Sequence, residues 1–289
     1  MKNLFIAWNT FSIVEFLGLV KNPEDYYVFI DEDYNKNDLS SLANLLKKCE
    51  EEKLCFKVLN REEVFKHKYS IVITSSFLNE YIVDILDNIQ FINLQLLEDG
   101  FGDYLRKEIN NYEYYYSFAI LYVNNLKGIS CFDGIKRVKE IRYEHKNNLR
   151  RFYKILDLSS LKNLSDDSIV LFTSPMEEDY NFKNYMKETI LYLEKNYQGK
   201  TIYVKNHPRD NLTYSSQKVN LISIDKIIPS QLVEQRFNCK KIYVHPSTTI
   251  LCSKDVSKTD ILKFKNLKYD GYFEQFDYVK MKKCNIIEI

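Results

Sequence analysis

A chain of 289 residues is too long for one small domain and comfortable for two. Its formal charge of +1, from 41 basic and 40 acidic residues, argues against a general nucleic-acid binder, which carries a clear basic excess. Hydrophobic residues at 45% supply real cores, yet no segment of eighteen residues is free of charge, so no transmembrane helix is expected.

The start, MKNLFIAWNTFSIVEF, carries an apolar stretch, but Asn9, Thr10 and Ser12 break it, Glu15 follows, and no small-residue cleavage site is present. It reads as a first strand running into a helix rather than as a signal peptide. Strand patterns then fall at 3–8, 26–31, 54–59, 70–76 and 91–97. Helical patterns lie between them. DLSSLANLLKKCEEEK places Leu42, Leu45, Leu46 and Cys49 on one face behind an Asp or Ser cap, and SSFLNEYIVDILDNI does the same with Leu78, Ile82, Ile85 and Leu86. A longer aromatic-rich helix is expected over about 104–124.

From 145 to 167 the pattern loosens into charged, Ser/Asn-rich sequence, which puts a domain boundary near residue 158: an amino-terminal domain of 1–157 and a carboxyl-terminal domain of 158–289. The alternation restarts with strands at 168–175, 201–208, 219–225 and 241–249, the last closing the series. Helical NFKNYMKETILYLEKNY and PSQLVEQRF are interleaved with them. Such alternation implies βαβ units and mostly parallel sheets, an α/β fold. The six cysteines form no CxxC pair and stand at no zinc spacing with histidine, so they read as scattered core thiols of a reducing compartment. His67 and His145 sit in charged segments and read as surface residues, and the lysine-rich stretches read as solvated faces.

Two of the four histidines directly precede proline, each at the end of an apolar run: TIYVKNHPRDN with His207 and Pro208, and KIYVHPSTTIL with His245, Pro246, Ser247, Thr248 and Thr249. Upstream, FINLQLLEDG ends in Glu98, Asp99 and Gly100. In open α/β sheets ligands bind outside the carboxyl ends of strands, so these three strand ends form a candidate acid–base constellation. Adjacent Glu98 and Asp99 point to opposite faces of an extended chain and need not share a proton. A histidine at a strand end can donate to a phosphate or protonate a leaving oxygen near neutral pH. Lys205 and Arg209 favour an anion nearby. Ser247, Thr248 and Thr249 read as the cap of a following helix, a place suited to phosphate, and Thr173 with Ser174 repeats the theme on another strand end. Each motif alone has a plainer reading, as an acidic turn, a surface histidine or an ordinary cap.

Taken in order, the three motifs resemble those of bacterial sialyltransferases with D/E-D/E-G, HP and S/T-S/T motifs. The resemblance is to the lipooligosaccharide and capsule enzymes of glycosyltransferase family 52, with the polysialyltransferases as relatives. The opening NLFIAWNTF is similar to that family's first strand and acceptor-side loop. The resemblance implies GT-B architecture, two Rossmann-like domains with parallel sheets facing across a cleft. It implies a cytoplasmic, inverting transferase that uses CMP-sialic acid, without cofactor or metal, on a glycan acceptor such as a terminal galactose. It makes Glu98 the general base with Asp99 its neighbour, and His207 the group that stabilises or protonates the leaving phosphate. It sets Thr173, Ser174, Pro208, Ile228, Ser247, Thr248 and Thr249 along the donor nucleotide, and Asn9 and Thr10 near the sialic acid or acceptor.

The chemistry agrees. Inverting transfer needs a carboxylate to take the acceptor proton and charge stabilisation on the departing phosphate, and a monophosphate leaving group can be held by imidazole, hydroxyls and N–H groups. The sequence departs from the family in its Ser-Thr-Thr preceded by His-Pro and in its short length, which leaves open the phosphate-holding pair, the acceptor and the linkage. The alternatives are another inverting GT-B transferase, using CMP-Kdo or building a polyol-phosphate chain, and a non-catalytic nucleotide- or glycan-binding protein. The basic KMKK near the C terminus suits peripheral contact with a membrane, and the oligomeric state is open.

Overall fold

The computed structural model describes residues 1–8, 10–30, 39–75, 78, 80–97, 113–122, 139–142, 155–174, 182–207, 210, 212–247, 249–250, 253, 255–265 and 283–289. The chain divides into two compact units, Met1–Leu156 and Asp157–Ile289, each with its own parallel sheet.

In the first unit, β1 (Lys2–Ala7), β2 (Tyr26–Ile30), β3 (Lys57–Leu59), β4 (Lys68–Ser75), β5 (Gln90–Leu97), β6 (Ile120–Tyr122) and β7 (Glu140–Arg142) pair in the order β3-β2-β1-β4-β5-β6-β7. Helices α1 (Thr10–Leu19), α2 (Leu39–Glu51), α3 (Arg61–Val64), α4 (Glu80–Asn88) and α5 (Glu113–Phe118) fall among these strands in the chain. A parallel sheet covered on both faces needs strands that are apolar on both sides, and β1 shows this. Its Leu4 and Ile6 pack with Ile82, Ile85 and Leu86 of α4. Its Phe5 turns the other way and stacks on Phe16 of α1 at 4.6 Å. Asn60 starts α3 with a reciprocal cap: its side chain accepts from the Glu63 N–H at 2.9 Å, and Glu63 accepts from the Asn60 N–H at 3.1 Å.

In the second unit, β8 (Ile169–Phe172), β9 (Thr201–Lys205), β10 (Asn220–Ile224), β11 (Lys240–Tyr243), β12 (Thr259–Lys263) and β13 (Asn285–Glu288) pair in the order β10-β9-β8-β11-β12-β13. Every described strand pair in both units is parallel. Helix α6 (Phe182–Asn196) buries Leu193, and its Tyr185 meets Phe264 at 5.0 Å; α7 (Ser230–Arg236) buries Leu232 and Val233. Both strand orders are doubly wound: the chain works outward from β1 or β8, then returns to that strand's other side.

The helix expected over 104–124 is corrected at its end. Ile120–Tyr122 is strand β6, in register with Gln95–Leu97 of β5. The aromatic and β-branched character that looked like a helix face serves equally as a strand between two neighbours, and sheet pairing decides. Residues 104–112 lie outside the described set. The strand at 241–249 does not end the series, since β12 and β13 extend the sheet. Among the described cysteines, Cys49, Cys239 and Cys284 are buried, but Cys55 is exposed. Among the described residues no helix is long and apolar enough to cross a membrane.

Candidate functional site

The order of the second sheet places its switch point between β8 and β11, where connections leave in opposite directions and the carboxyl edge opens to a ligand. β8 runs out into Thr173 and Ser174, β9 into Asn206 and His207, and β11 into Val244, His245, Pro246 and Ser247. Thr173, Ser174, His207, Ser247 and Thr249 thus come from three adjacent strand ends of one sheet edge.

Short bonds stitch that edge together. Thr173 Oγ1 accepts from the His207 N–H at 2.9 Å, fixing the start of the His-Pro loop against the end of β8. The Val244 N–H donates to Phe172 O at 3.1 Å, continuing the ladder one step past the strands. Below it, Phe172 and Tyr243 stack at 4.5 Å with planes 6° apart, an apolar floor under the switch point.

The His-Pro loop is held from inside. Fully buried Asp210 donates its N–H to His207 O at 2.9 Å, and its carboxylate accepts from the Leu212 N–H at 3.0 Å and the Tyr214 hydroxyl at 3.2 Å. Burial and the adjacent Asp210 push the Tyr214 phenol well above its ordinary range. Two lysines clasp this loop to the turn after β10. Lys205 Nζ donates to Asn206 O at 2.7 Å and Lys226 O at 3.2 Å, and Lys226 Nζ donates to Asp210 O at 2.6 Å. Lys205 is 1% exposed, and burial pulls its pKa down to about 7.

The hydroxyl motif continues into the interior. Ser247 Oγ lies 3.0 Å from Thr249 Oγ1, which lies 3.0 Å from the Tyr243 hydroxyl. Tyr243 in turn bonds Glu234 of α7. Glu234 pairs with Lys241 of β11 at 2.5 Å, both side chains fully buried, and Lys241 Nζ donates to Ser253 Oγ at 2.9 Å. Burial pushes the Glu234 carboxyl above its ordinary value, with Lys241 opposing.

A family model described as glycosyltransferase family 52 matches residues 20–268. The chain belongs to glycosyltransferase family 52. No curated protein sequence matches it. Among solved structures it is similar to UGT89C1 of Arabidopsis thaliana, crystallised in complex with UDP-L-rhamnose, with TM-score 0.52 and 10% identity over 100% of this chain and 86% of that one. At such identity the likeness speaks for the fold, an α/β glycosyltransferase of GT-B type built on two Rossmann-like parallel sheets.

In this family 52 glycosyltransferase several sequence-derived positions lie outside the described residues: Asn9, Glu98, Asp99, Pro208 and Thr248. The strand before the acidic pair, β5, is described and stops at Leu97. Thr10 opens α1. Ile228 is 1% exposed and gives its N–H to Asp225 O at 3.1 Å, so its side chain belongs to the core. The expected helix behind the hydroxyl motif is a 3₁₀ turn over the described Thr249 and Ile250, with the Ile250 N–H on Ser247 O at 3.1 Å. The second His-Pro differs from the first. His245 Nδ1 contacts Pro246 O at 2.8 Å, and burial lowers its pKa, so a neutral ring donates from Nδ1 to that carbonyl and shapes the turn.

Sequence reading missed the groups behind the edge: Asp210, Glu234, Lys241 and Tyr243, with Lys205 read only as an anion attractor. Lys205 and Lys241 are both enclosed, at 1% and 0% exposure. A signal did exist. Lys205 ends the run TIYV and Lys241 starts the run IYV, and next to an apolar strand of a parallel sheet a charge must find partners inside.

Proposed function

We propose that this family 52 glycosyltransferase is an inverting, metal-independent sialyltransferase. It moves sialic acid from CMP-sialic acid to a terminal galactose-type acceptor of a bacterial lipooligosaccharide or capsule glycan, on the cytoplasmic side of the membrane. Glu98 takes the proton from the acceptor hydroxyl, with Asp99 supporting it, as that oxygen bonds the anomeric carbon. The bond from that carbon to the CMP phosphate oxygen breaks on the opposite face. His207 stabilises or protonates the departing phosphate, which Ser247, Thr248 and Thr249 help to hold. Thr173, Ser174, Pro208 and the turn at Ile228 run along the nucleotide, and because the Ile228 side chain is buried its contact is through the backbone. Asn9 and Thr10 meet the sialic acid or acceptor.

The observation that carries this reading is the Thr173–His207 bond of 2.9 Å at the carboxyl edge, beside the Ser247–Thr249 hydroxyl pair. The bond runs through the His207 main chain, so it supports the reading by fixing the start of the His-Pro loop on the same strand edge that carries Ser247 and Thr249, the edge where doubly wound sheets bind ligands. The test is transfer from CMP-sialic acid to a panel of labelled galactosides in EDTA. CMP-Kdo and UDP-sugars run alongside, because the structurally similar plant enzyme was crystallised with UDP-L-rhamnose. Sialylated product that vanishes in Glu98→Gln and His207→Ala, with both variants melting like the parent, supports the assignment. Transfer from CMP-Kdo alone moves the donor, and transfer from a UDP-sugar alone overturns the CMP reading.

A further inference from the structure

The hydroxyl pair at the edge is one end of a longer chain of oxygens. From Ser247 it passes to Thr249 at 3.0 Å, to Tyr243 at a further 3.0 Å, and then to the carboxyl group of Glu234. Each contact needs one proton, and each hydroxyl has only one to give. The chain therefore has a direction, and Glu234 sets it. An ionised carboxylate only accepts, so Tyr243 donates to it. Tyr243 oxygen then accepts from Thr249, and Thr249 oxygen accepts from Ser247. In this state the Ser247 proton points inward, and its oxygen, which also accepts from the Thr249 N–H at 3.4 Å, offers the edge no proton. A protonated Glu234 donates to Tyr243 and reverses every link, which turns the Ser247 proton outward.

A phosphate has only acceptor oxygens, so Ser247 serves it only in the outward state. We propose that the Ser247–Thr249–Tyr243 chain couples donor-phosphate binding to Glu234, so that seating an anion at Ser247 draws one proton into the chain. The proposal rests on the reading of Ser247 as a donor-phosphate contact. The proton balance closes in one pass. Solvent supplies a proton to Ser247 oxygen, Ser247 hands its own to Thr249, Thr249 to Tyr243, and Tyr243 to the Glu234 carboxylate. One O–H forms at Glu234, each hydroxyl keeps one proton, and all now point toward the ligand. Thr249 helps to hold the phosphate through Ser247, as a link in this chain, and Tyr243 is a positioning residue.

The surroundings suit a carboxyl poised between two states. Glu234 is enclosed and faces Lys241 and Tyr243 of β11, the Ser253 hydroxyl, and the thiols of Cys239 and Cys284. The Lys241 ammonium favours the carboxylate, and burial favours the acid. Lys241 also keeps Ser253 Oγ at 2.9 Å, which leaves the cation partnered when the carboxylate is neutralised.

Calorimetric titration of the full chain with CMP at pH 8, in buffers of different ionisation enthalpy, counts the protons taken up. At that pH the CMP phosphate, with a second pKa of about 6, is already a dianion. The wild type is expected to take up a proton that Tyr243→Phe and Thr249→Val do not, while Thr249→Ser, which keeps the hydroxyl, still does. The affinity of the wild type should correspondingly fall up to about tenfold per pH unit above 8, and that of the two broken-chain variants less steeply. His207 is present in every variant, so any proton it takes up cancels in the comparison. Thr249→Val lies at the edge, so its melting curve controls for folding should Tyr243→Phe unfold. Equal uptake in the wild type and either folded broken-chain variant overturns the coupling and leaves the donor reading standing. A wild type that binds no CMP overturns both.

Discussion

Replacing Lys205 by methionine keeps the apolar stem and removes the ammonium. Burial pulls the pKa of Lys205 from 10.5 to about 7, with Asp225 opposing the shift and Lys226 adding to it. Below pH 7 the folded and unfolded chains both carry the charge, and the folded chain bears the whole cost of hiding it. Between pH 7 and 10.5 the unfolded chain still holds the proton while the folded chain releases it, so stability rises with pH across that window. At about 1.36 kcal/mol per pH unit the hidden charge costs about 5 kcal/mol, of which about 2 kcal/mol is recovered between pH 7 and 9. Methionine has no proton to release, so Lys205→Met lacks this rise. It also leaves the Asn206 and Lys226 carbonyls without their donor, at about 1–3 kcal/mol for each buried one. Urea midpoints for both proteins at pH 7, 8 and 9 test the argument, because every other titrating group is shared and cancels. The variant should lose about 2 kcal/mol against the wild type from pH 7 to 9. Parallel stability curves would refute the buried-ammonium account.

Thr173→Val removes the acceptor of the His207 N–H while keeping the shape. It should cost about 1–2 kcal/mol in transition-state stabilisation, a drop of roughly 5- to 30-fold in kcat/KM, with little change in thermal unfolding. Phe172→Ala removes half of the stacked floor and should destabilise the chain by about 3–5 kcal/mol in the same urea assay. With iodoacetamide at pH 8, exposed Cys55 should be modified first among the described cysteines. Burial raises the Cys49 thiol to about 12 and those of Cys239 and Cys284 to about 11, so all three should stay protonated and unmodified until denaturant is added, as peptide mapping will show.

The alternation of apolar runs and helix patterns carried the fold class, because a parallel strand buried on both faces is a continuous apolar segment that stands out from its surroundings. β1, β5, β8 and β9 were legible in that way. β6 and β7 were not, since a strand of three residues has no period of its own and exists through its neighbours. β13 likewise forms at Asn285–Glu288 because Asp260–Lys263 of β12 offers it a ladder. Strand order was not legible either. It decides that β8 and β11 lie side by side although about seventy residues separate them, and so that Thr173 and Ser247 share an edge.

The chemistry-bearing residues that were legible share a property: each follows a strand, where the chain turns to solvent and polar residues are free to vary. The groups that support them could not be read the same way, because their meaning lies in pairing. Lys241 in KIYV looks like a solvated lysine until Glu234 is placed against it, and Glu234 in QLVEQRF looks like a helix surface residue until Lys241 is. Deleting one side chain of the pair strands the other's charge, which costs about 3–5 kcal/mol. The pair also brings little net stability, as two apolar residues of the same volume would pack as well. What an apolar pair could not do is accept from Tyr243 and thereby orient the Thr249 and Ser247 hydroxyls. An ion pair that fixes hydroxyl directions at a ligand edge has a reason to be there that packing does not supply. Replacing Glu234 and Lys241 together by leucine and methionine separates the two roles. Stability should stay close to that of the parent while CMP binding loses its proton uptake, and an uptake equal to the wild type's would reduce the pair to scaffold.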